Sequence, residues 1–178
     1  QLGSTSLNYA NSMATLVDYQ LRHLCRTAGL VEPFDPDLIN PASIDVTLGN
    51  IIKVENDNGG FTDFDISNQT FYMPPGAFVL ASTAEWVRVP GYTECIFHLK
   101  SSRGREGYDH ALATYCDPGF HGNITLELSN LRRFKELPLR AGMRIGQLRF
   151  AKLDSSPIRT YAVTGRYHND HGVQESRG

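Results

Sequence analysis

Short runs of apolar or alternating apolar and polar residues occupy much of the chain and predict β-strands. Turn sequences such as Pro-Pro-Gly and Asp-Asn-Gly-Gly separate these runs. The predicted strands comprise residues 44–48, 51–54, 70–73, 78–81, 86–89 and 95–99. Many short strands at this close spacing are typical of a barrel or a jelly roll. The sequence therefore predicts a mostly β fold.

A helical period precedes these strands. It begins near Ala14, and Gly29 is the type of residue that commonly ends a helix. The apolar residues that share one helical face are Val17, Leu21, Leu24 and Cys25. We therefore expect a short N-terminal helix packed against the sheet. Residues 1–12 are small and polar without a hydrophobic period, so we interpret them as an extension or an expression remnant.

Strict alternation returns at residues 123–129, after an Asp-Pro-Gly turn at residues 117–119. The apolar face of this predicted strand consists of Ile124, Leu126 and Leu128. Glu127 therefore faces away from the apolar side. A lone glutamate in a strand usually lies on the solvent face. Beside a phosphate-binding cluster, however, desolvation would raise its pKa from about 4.3, which suits a general base.

A cluster of hydroxyl and cationic side chains lies shortly before this turn. It consists of Lys100, Ser101, Ser102, Arg103 and Arg105, in a glycine-containing segment. Backbone N–H groups, hydroxyls and an arginine fork in such a segment could all converge on phosphate oxygens. The sequence therefore indicates a phosphorylated ligand, with Glu127 as the candidate base.

Length, charge and cysteine content narrow the class of protein. A chain of 178 residues is most simply one domain, and its net charge of −2 argues against a general nucleic-acid or membrane surface. An anionic ligand must then meet a local cationic cluster. The three cysteines are widely spaced, and we expect neither a signal peptide nor a membrane span. These features predict that the protein is located in a reducing cytoplasm. If the protein is viral, this is the cytoplasm of the host cell.

The motifs around Glu127 resemble those of the deoxycytidine triphosphate (dCTP) deaminases, a family of the trimeric dUTPase-like superfamily. The family hallmark is GRSS-x-x-R followed by D-P-G-[WF]-x-G-x-[IV]-x-L-E, and this chain has LKSSRGR and DPGFHGNITLE. Three further segments resemble the family's other motifs: INPASIDVTLGN from Ile39, LPLRAGMRIGQLRF from Leu137 and GRYHNDHGVQESRG at the end. Five motifs in the right order make the resemblance specific.

The resemblance implies a dUTPase-like distorted β-barrel or jelly roll at residues 13–158, followed by a tail at residues 159–178 that closes over the substrate. It also implies a homotrimer with its active sites at the subunit interfaces. The expected reaction is metal-independent hydrolytic deamination of dCTP to dUTP and ammonia, which supplies deoxyuridine nucleotide for dTTP synthesis. Mg²⁺ is expected only with the triphosphate. Zinc, an organic cofactor, nucleic acid and a membrane are not expected as partners.

The resemblance also implies roles for individual residues. Glu127 is the general base, while Ser101 and the backbone carbonyl of Ala113 orient the attacking water. Arg105 lies beside Glu127 and holds its ionised form, and Asp117 binds the deoxyribose 3′-hydroxyl. The other implied substrate contacts are Lys100, Ser102, Arg103, Thr125, Leu126, Tyr161 and Arg166.

Two further positions bear on the substrate and the product. Gln147 stands where the dUMP-forming branch of the family has a glutamine, although a purely structural amide is an equal alternative. Asp170 stands where the family has a glutamine that contacts the nucleotide. An acidic side chain there opposes triphosphate binding unless a cation bridges it. The sequence therefore allows a substrate with fewer than three phosphates or with a 5-substituted cytosine.

Several alternatives to a plain dCTP deaminase follow. A bifunctional enzyme would also cleave the triphosphate to give dUMP, which Asp117 and Gln147 support. A deaminase of dCMP or of a 5-substituted deoxycytidine nucleotide would accommodate Asp170, and a non-catalytic, nucleotide-binding regulatory trimer is an alternative of another class. A zinc deaminase requires H-x-E and P-C-x-x-C signatures, and the chain has neither. The six histidines show no zinc-ligand spacing and are expected to be surface or structural residues.

Overall fold

The computed structural model describes residues 14–111 and 113–177, so the predicted extension at residues 1–12 lies outside the described part. The described helices are α1 (Asp18–Ala28), α2 (Ser101–Glu106) and α3 (Tyr161–Thr164), with a 3₁₀ turn at Pro36–Leu38. The strands are β1 (Val31–Glu32), β2 (Ile39–Asn40), β3 (Ser43–Thr47), β4 (Ile51–Glu55), β5 (Phe61–Asp65), β6 (Phe71–Met73), β7 (Phe78–Ser82), β8 (Trp86–Arg88), β9 (Thr93–Leu99), β10 (Tyr108–His110), β11 (Tyr115–Cys116), β12 (His121–Gly122), β13 (Thr125–Asn130), β14 (Leu137–Leu139) and β15 (Arg144–Lys152).

Most strands belong to two antiparallel five-stranded sheets. The first sheet has the order β10-β13-β7-β4-β5 and the second has the order β11-β9-β15-β3-β2. Strands β1-β8-β12 and β14-β6 form two smaller sheets. Across the described ranges, hydrogen bonding does not close these sheets into one continuous barrel. The prediction of a mostly β, distorted fold with a short N-terminal helix is confirmed.

A single hydrophobic cluster joins the two large sheets. It contains Leu126 and Leu128 from β13 of the first sheet and Phe97 and Phe150 from the second, all without exposed surface. Burial of side chains of this size stabilises the fold by about 1.5–3 kcal/mol each. Gly146 is required at its position in β15, because a Cβ atom there would lie 2.2 Å from the ring of Phe97. The packing of β9 against β15 therefore depends on a glycine.

Helix α1 is amphipathic and ends where the sequence predicts. Its buried residues are Leu21 and Cys25. Gly29 closes the last turn with φ 60°, a left-handed conformation that favours glycine. The helix begins at Asp18 rather than near Ala14, because the preceding backbone bonds to β15 instead; the N–H of Leu16 donates to the carbonyl of Phe150 over 2.8 Å. None of the described helices is long and apolar enough to cross a membrane.

The chain leaves the sheets after β15 and returns across β12 and β13. Two backbone contacts fix its course: the N–H of Asn123 donates to the carbonyl of Asp170 over 3.2 Å, and the N–H of Gln174 donates to Oγ1 of Thr125 over 3.1 Å. The polar C-terminal segment therefore lies along the strand that carries Glu127. The predicted boundary between domain and tail, at residues 158–159, stays a prediction.

Candidate active site

A cavity of about 520 Å³ lies between β13, the turn at residues 117–120 and the tail. Phe61, Phe78 and Phe120 contribute apolar surface to its wall. Six residues that the sequence assigned to the site also line it: Ala113, Asp117, Thr125, Glu127, Tyr161 and Asp170. A concave pocket with an apolar wall and a few convergent polar groups is typical of a small-molecule site. The structure therefore brings the candidate base together with part of the predicted substrate contacts.

Glu127 points into the cavity because of its position in β13. Its neighbours Leu126 and Leu128 are fully buried, so the predicted alternation is confirmed, and only the backbone of Leu126 can meet a substrate. The Glu127 side chain is 25% exposed. Burial raises the pKa of its carboxyl group, because removal from water disfavours the charged form. A carboxylate whose pKa is raised holds a proton more readily than an ordinary glutamate, which suits a group that takes a proton from water and later returns it.

His110 lies beside Glu127, and the sequence analysis did not assign it to the site. Its Nε2 atom is 3.3 Å from Oε2 of Glu127, and its side chain is 4% exposed. Neither atom has a well-aligned hydrogen-bond partner within the described ranges. Burial lowers the pKa of His110, so the imidazole is neutral near pH 7. This contact depends on the pairing of β10 with β13, which places His110 opposite Leu128, and no local sequence signal indicates that pairing.

The turn before β12 carries Asp117 and positions Tyr161. The N–H of Phe120 donates to the carbonyl of Asp117 over 3.0 Å, and Gly119 has φ 87° within the turn. Helix α3 docks on this turn, because the N–H of Tyr161 donates to the carbonyl of Pro118 over 2.8 Å. The Tyr161 ring lies 5.6 Å from the ring of Phe120. Two predicted contacts from distant parts of the sequence thus reach the same cavity.

The tail contributes more of the cavity wall than the sequence predicted. Tyr167 and Gln174 line the cavity together with Asp170. Asp170 is held at the cavity by the bridge between its backbone and that of Gly122. The sequence signal for Tyr167 and Gln174 was their place in the tail motif, but only the path of the tail along β13 shows that they face the cavity.

The hydroxyl and cationic cluster at residues 100–105 lies apart from this cavity. These residues cap and form helix α2, and none of them lines the cavity. No residue of α2 is fully buried, and Ser101 and Arg105 are exposed. Within one chain, the structure therefore does not bring either residue to Glu127.

Buried Asp45 anchors the start of the cluster. Its Oδ2 atom accepts from Nζ of Lys100 over 2.5 Å, and its Oδ1 atom accepts from Nδ2 of Asn40 over 2.7 Å. Arg103 is also engaged, since its Nε donates to the carbonyl of Arg144 over 3.0 Å. These contacts hold α2 to β3 and β15. Ser102, like the rest of the outer face of α2, remains exposed to solvent.

Arg166 and Gln147 also lie off the cavity. Arg166 is exposed and does not contribute to the lining. Gln147 lies on β15, where its Oε1 accepts from Oγ of Ser43 over 3.0 Å. It lines a separate depression of about 380 Å³ together with Asn40 and His98. The Gln147 amide therefore has a structural partner within its own chain.

The charged residues in the described cavity lining are all acidic. The described lining contains Asp117, Glu127, Asp170 and Glu175 but no lysine, arginine or histidine. A nucleoside triphosphate carries several negative charges, which carboxylates at short range would repel. The cations that neutralise a bound triphosphate must therefore come from outside this lining.

Burial of Glu127 has a stability cost that a mutation can reveal. Because its pKa is raised in the folded state, the unfolded chain loses this proton first as pH rises, and stability falls. We expect Glu127→Gln to raise the melting temperature by a few degrees at about pH 8 and the difference to shrink toward about pH 4. Calorimetry across this pH range measures the difference. An unchanged or lower melting temperature of the variant at the higher pH contradicts the expectation.

Comparison with known proteins places the chain in a family. A dCTP deaminase-like family model matches residues 15–153. The "dCTP deaminase, dUMP-forming" of Corynebacterium diphtheriae is 36% identical over 83% of this chain and 87% of its own, and the protein of the same name from Salinispora arenicola is 40% identical over 83% and 85%. The crystal structure of 2′-deoxycytidine 5′-triphosphate deaminase from Agrobacterium tumefaciens matches with a TM-score of 0.67 at 23% identity, over 79% of this chain and 48% of that chain, which shows a shared fold. The chain therefore belongs to the dCTP deaminase-like family, as its motifs predicted.

Proposed function

We propose that this protein removes the amino group of the cytosine in dCTP by hydrolysis and then cleaves the triphosphate to release dUMP. The observation that carries the proposal is Glu127, a half-buried carboxylate of raised pKa in a cavity large enough for a nucleotide. The names of the curated relatives support dCTP as substrate and dUMP as product. The sequence alone favoured dUTP, with dUMP as the alternative, so the relatives support the alternative more.

Glu127 supplies acid–base chemistry for the first step. Its carboxylate takes a proton from a water molecule whose oxygen adds to C4 of the cytosine. The proton then passes from Glu127 to the amino group, the C4–N bond breaks and ammonia leaves. Acid–base catalysis of this kind contributes about 10²–10⁴ in rate. The neutral His110 beside Glu127 adds no charge that would oppose the return of the proton.

The acidic cavity and the exposed helix α2 are complementary, which supports a homotrimer with shared sites. The described cavity lining lacks a cation, whereas α2 exposes Arg105, Ser101 and Ser102. Helix α2 of a second subunit would supply the missing phosphate-binding groups. In this arrangement, Ser101 and the carbonyl of Ala113 orient the attacking water, and Arg105 favours ionised Glu127.

Mg²⁺ enters this proposed site with the substrate. The ion binds the triphosphate and water, and it reduces the negative charge that the carboxylates of the cavity meet. Asp117 at the turn and Asp170 in the tail are two of the four carboxylates of the lining, and both can face the magnesium-bound phosphates. The proposed chemistry at C4 uses Glu127 and water and has no step that depends on a resident metal.

The state of the cysteines supports action in a reducing cytoplasm. Cys25, Cys95 and Cys116 are all free and buried. Cys95 and Cys116 stand opposite one another on β9 and β11. Secreted proteins commonly pair their cysteines, whereas cytoplasmic proteins keep them reduced. We therefore propose a cytoplasmic location.

Asp117 is the candidate base for the second hydrolysis. A second water adds to the α-phosphorus, the bond to the bridging oxygen of the β-phosphate breaks, and pyrophosphate leaves. We expect Asp117→Asn to slow this step by about 10²-fold, so that dUTP accumulates while ammonia is still released. A chromatographic time course separates dUTP from dUMP. Formation of dUMP at the wild-type rate would remove Asp117 from this role.

A panel of nucleotides tests the proposed substrate. The purified protein is incubated with Mg²⁺ and dCTP, dCMP, dUTP or 5-methyl-dCTP, and the products are separated by chromatography. We expect dCTP and dUTP both to give dUMP, and dCMP to remain unchanged. Conversion of only dCMP or the methylated nucleotide would assign a different substrate. Binding of dCTP without conversion would instead support the non-catalytic regulatory trimer.

A further inference from the structure

Arg177 is the centre of a set of contacts that shapes the tail. Its Nη1 donates to the carbonyl of Arg166 over 2.6 Å, and its Nη2 lies 3.1 Å from Oε1 of Gln174 and 2.7 Å from Oδ2 of Asp170. Its backbone N–H donates to the hydroxyl of Tyr167 over 3.0 Å. The guanidinium carbon also lies 5.1 Å from the centre of the Tyr167 ring. One side chain thus joins four residues of the tail.

Three of these four partners line the candidate active site. Tyr167, Asp170 and Gln174 face the cavity, whereas Arg177 does not contribute to its lining. The donors of Arg177 are already directed at the tail rather than at the cavity. Arg177 is therefore connected to the cavity only through the residues it holds.

The contact with Asp170 is chiefly one of charge. The Asp170 side chain is 17% exposed and the Arg177 side chain is 44% exposed. Their closest atoms are 2.7 Å apart. Oδ2 of Asp170 nevertheless has no well-aligned hydrogen-bond donor among the described residues. An arginine at this distance reduces the negative field of the carboxylate inside a cavity that contains three other carboxylates.

The tail is also fastened to the body of the protein on both sides of these contacts. The N–H of Gly172 donates to Oδ1 of Asn123 over 2.9 Å, and Nζ of Lys53 lies 3.1 Å from a carboxylate oxygen of Glu175. These attachments fix the backbone path, and Arg177 fixes the side chains that face inward. The tail therefore has two separable sets of contacts.

We infer that Arg177 is a positioning residue, which neutralises Asp170 and orients Tyr167 and Gln174 so that the cavity accepts a nucleotide triphosphate. The inference rests on the proposed function, because it assigns the tail to the binding of that substrate. Asp170, the residue that departs from the family motif, is in this account compatible with a triphosphate because Arg177 pairs with it.

A double-mutant cycle tests the pairing through kinetics. We expect Arg177→Gln to raise the KM for dCTP about tenfold and to change kcat by less than about twofold. In an Asp170→Asn background, the same substitution should raise KM only about threefold, because no carboxylate is left to neutralise. Arg26→Gln, a loss of one exposed cation on α1, is the matched control. Additive effects of the two substitutions, or a fall in kcat without a rise in KM, overturn the inference.

Proteolysis supplies a measurement that needs no catalytic activity. Chymotrypsin is expected to cleave after Tyr167 several-fold faster in Arg177→Gln than in wild type, because the ring of Tyr167 loses the guanidinium group that packs on it. Cleavage after Phe134, which is 95% exposed and distant from the tail in sequence, is the internal reference. Equal relative cleavage in both proteins overturns the positioning role. If wild type does not deaminate dCTP, the proposed function fails, while proteolysis still decides the role of Arg177.

Discussion

Replacement of Glu127 by glutamine is expected to lower the rate of dCTP deamination by about 10³-fold. Glutamine has nearly the same shape as glutamate but can neither take the proton from the attacking water nor return it to the departing amine. The cavity and the fold are expected to persist, because Glu127 makes no well-aligned hydrogen bond through Oε2 that the substitution would break. Ammonia release from dCTP measures the loss.

Hydrolysis of dUTP is the matched control for this variant. It starts from a base that has already lost its amine, and we assign it to Asp117 rather than to Glu127. The rate of dUMP formation from dUTP is therefore expected to stay within about threefold of wild type. Deamination by Glu127→Gln within tenfold of the wild-type rate would mean that another group is the base.

Mixing two inactive variants is expected to restore activity. Arg105→Ala removes a guanidinium from exposed helix α2 and is expected to lower deamination by about 10²-fold, although residues 100–105 do not line the cavity of their own chain. Glu127→Gln has the complementary defect, because its cavity lacks the base while its helix α2 is intact. If each site combines the cavity of one subunit with α2 of the next, some sites in mixed trimers contain both intact parts.

The expected recovery follows from random assembly. In an equal mixture, half of the cavities have an intact Glu127, and half of those face an intact α2, so about one quarter of the wild-type activity returns. The variants are denatured, mixed and refolded together, and each variant refolded alone is the control. Activity equal to the average of the separate variants would show that each site lies within one chain.

The alternation of apolar and polar residues in β13 made the orientation of Glu127 predictable. Strict alternation assigned Leu126 and Leu128 to the core and Glu127 to the opposite face, and the structure has this arrangement. The Asp-Pro-Gly turn was also predictable from local sequence, because its residue types restrict the backbone conformation. The N-terminal helix and its stop at Gly29 also followed from local periodicity and the conformational freedom of glycine.

Contacts between distant segments were not predictable in this way. Strand β5 was missed because its sequence FTDFD contains two aspartates and lacks a continuous apolar run. Residues 100–105 were interpreted as a phosphate-binding cluster; residues 101–106 form a helix, and none of them lines the cavity of their own chain. Local pattern cannot show which surface a helix faces, and it cannot show a site that two subunits share.

The tail illustrates the same limit. Its motif predicted substrate contacts at Tyr161, Arg166 and Asp170, and the structure places the first and the last of these at the cavity. The ion pair between Asp170 and Arg177 joins residues of an irregular segment, where no period relates one side chain to another. The sequence could therefore identify Asp170 as a departure from the family motif but not the cation that accompanies it.

The most direct test of the central claim is a stoichiometric product assay with dCTP as the sole nucleotide. Ammonia, pyrophosphate and dUMP are measured in one time course, with wild type and Glu127→Gln in parallel. We expect one ammonia, one pyrophosphate and one dUMP for each dCTP consumed by wild type, and almost no ammonia from the variant. Recovery of unchanged dCTP, or its cleavage to dCMP without ammonia, would show that the protein is not a dUMP-forming deaminase of dCTP.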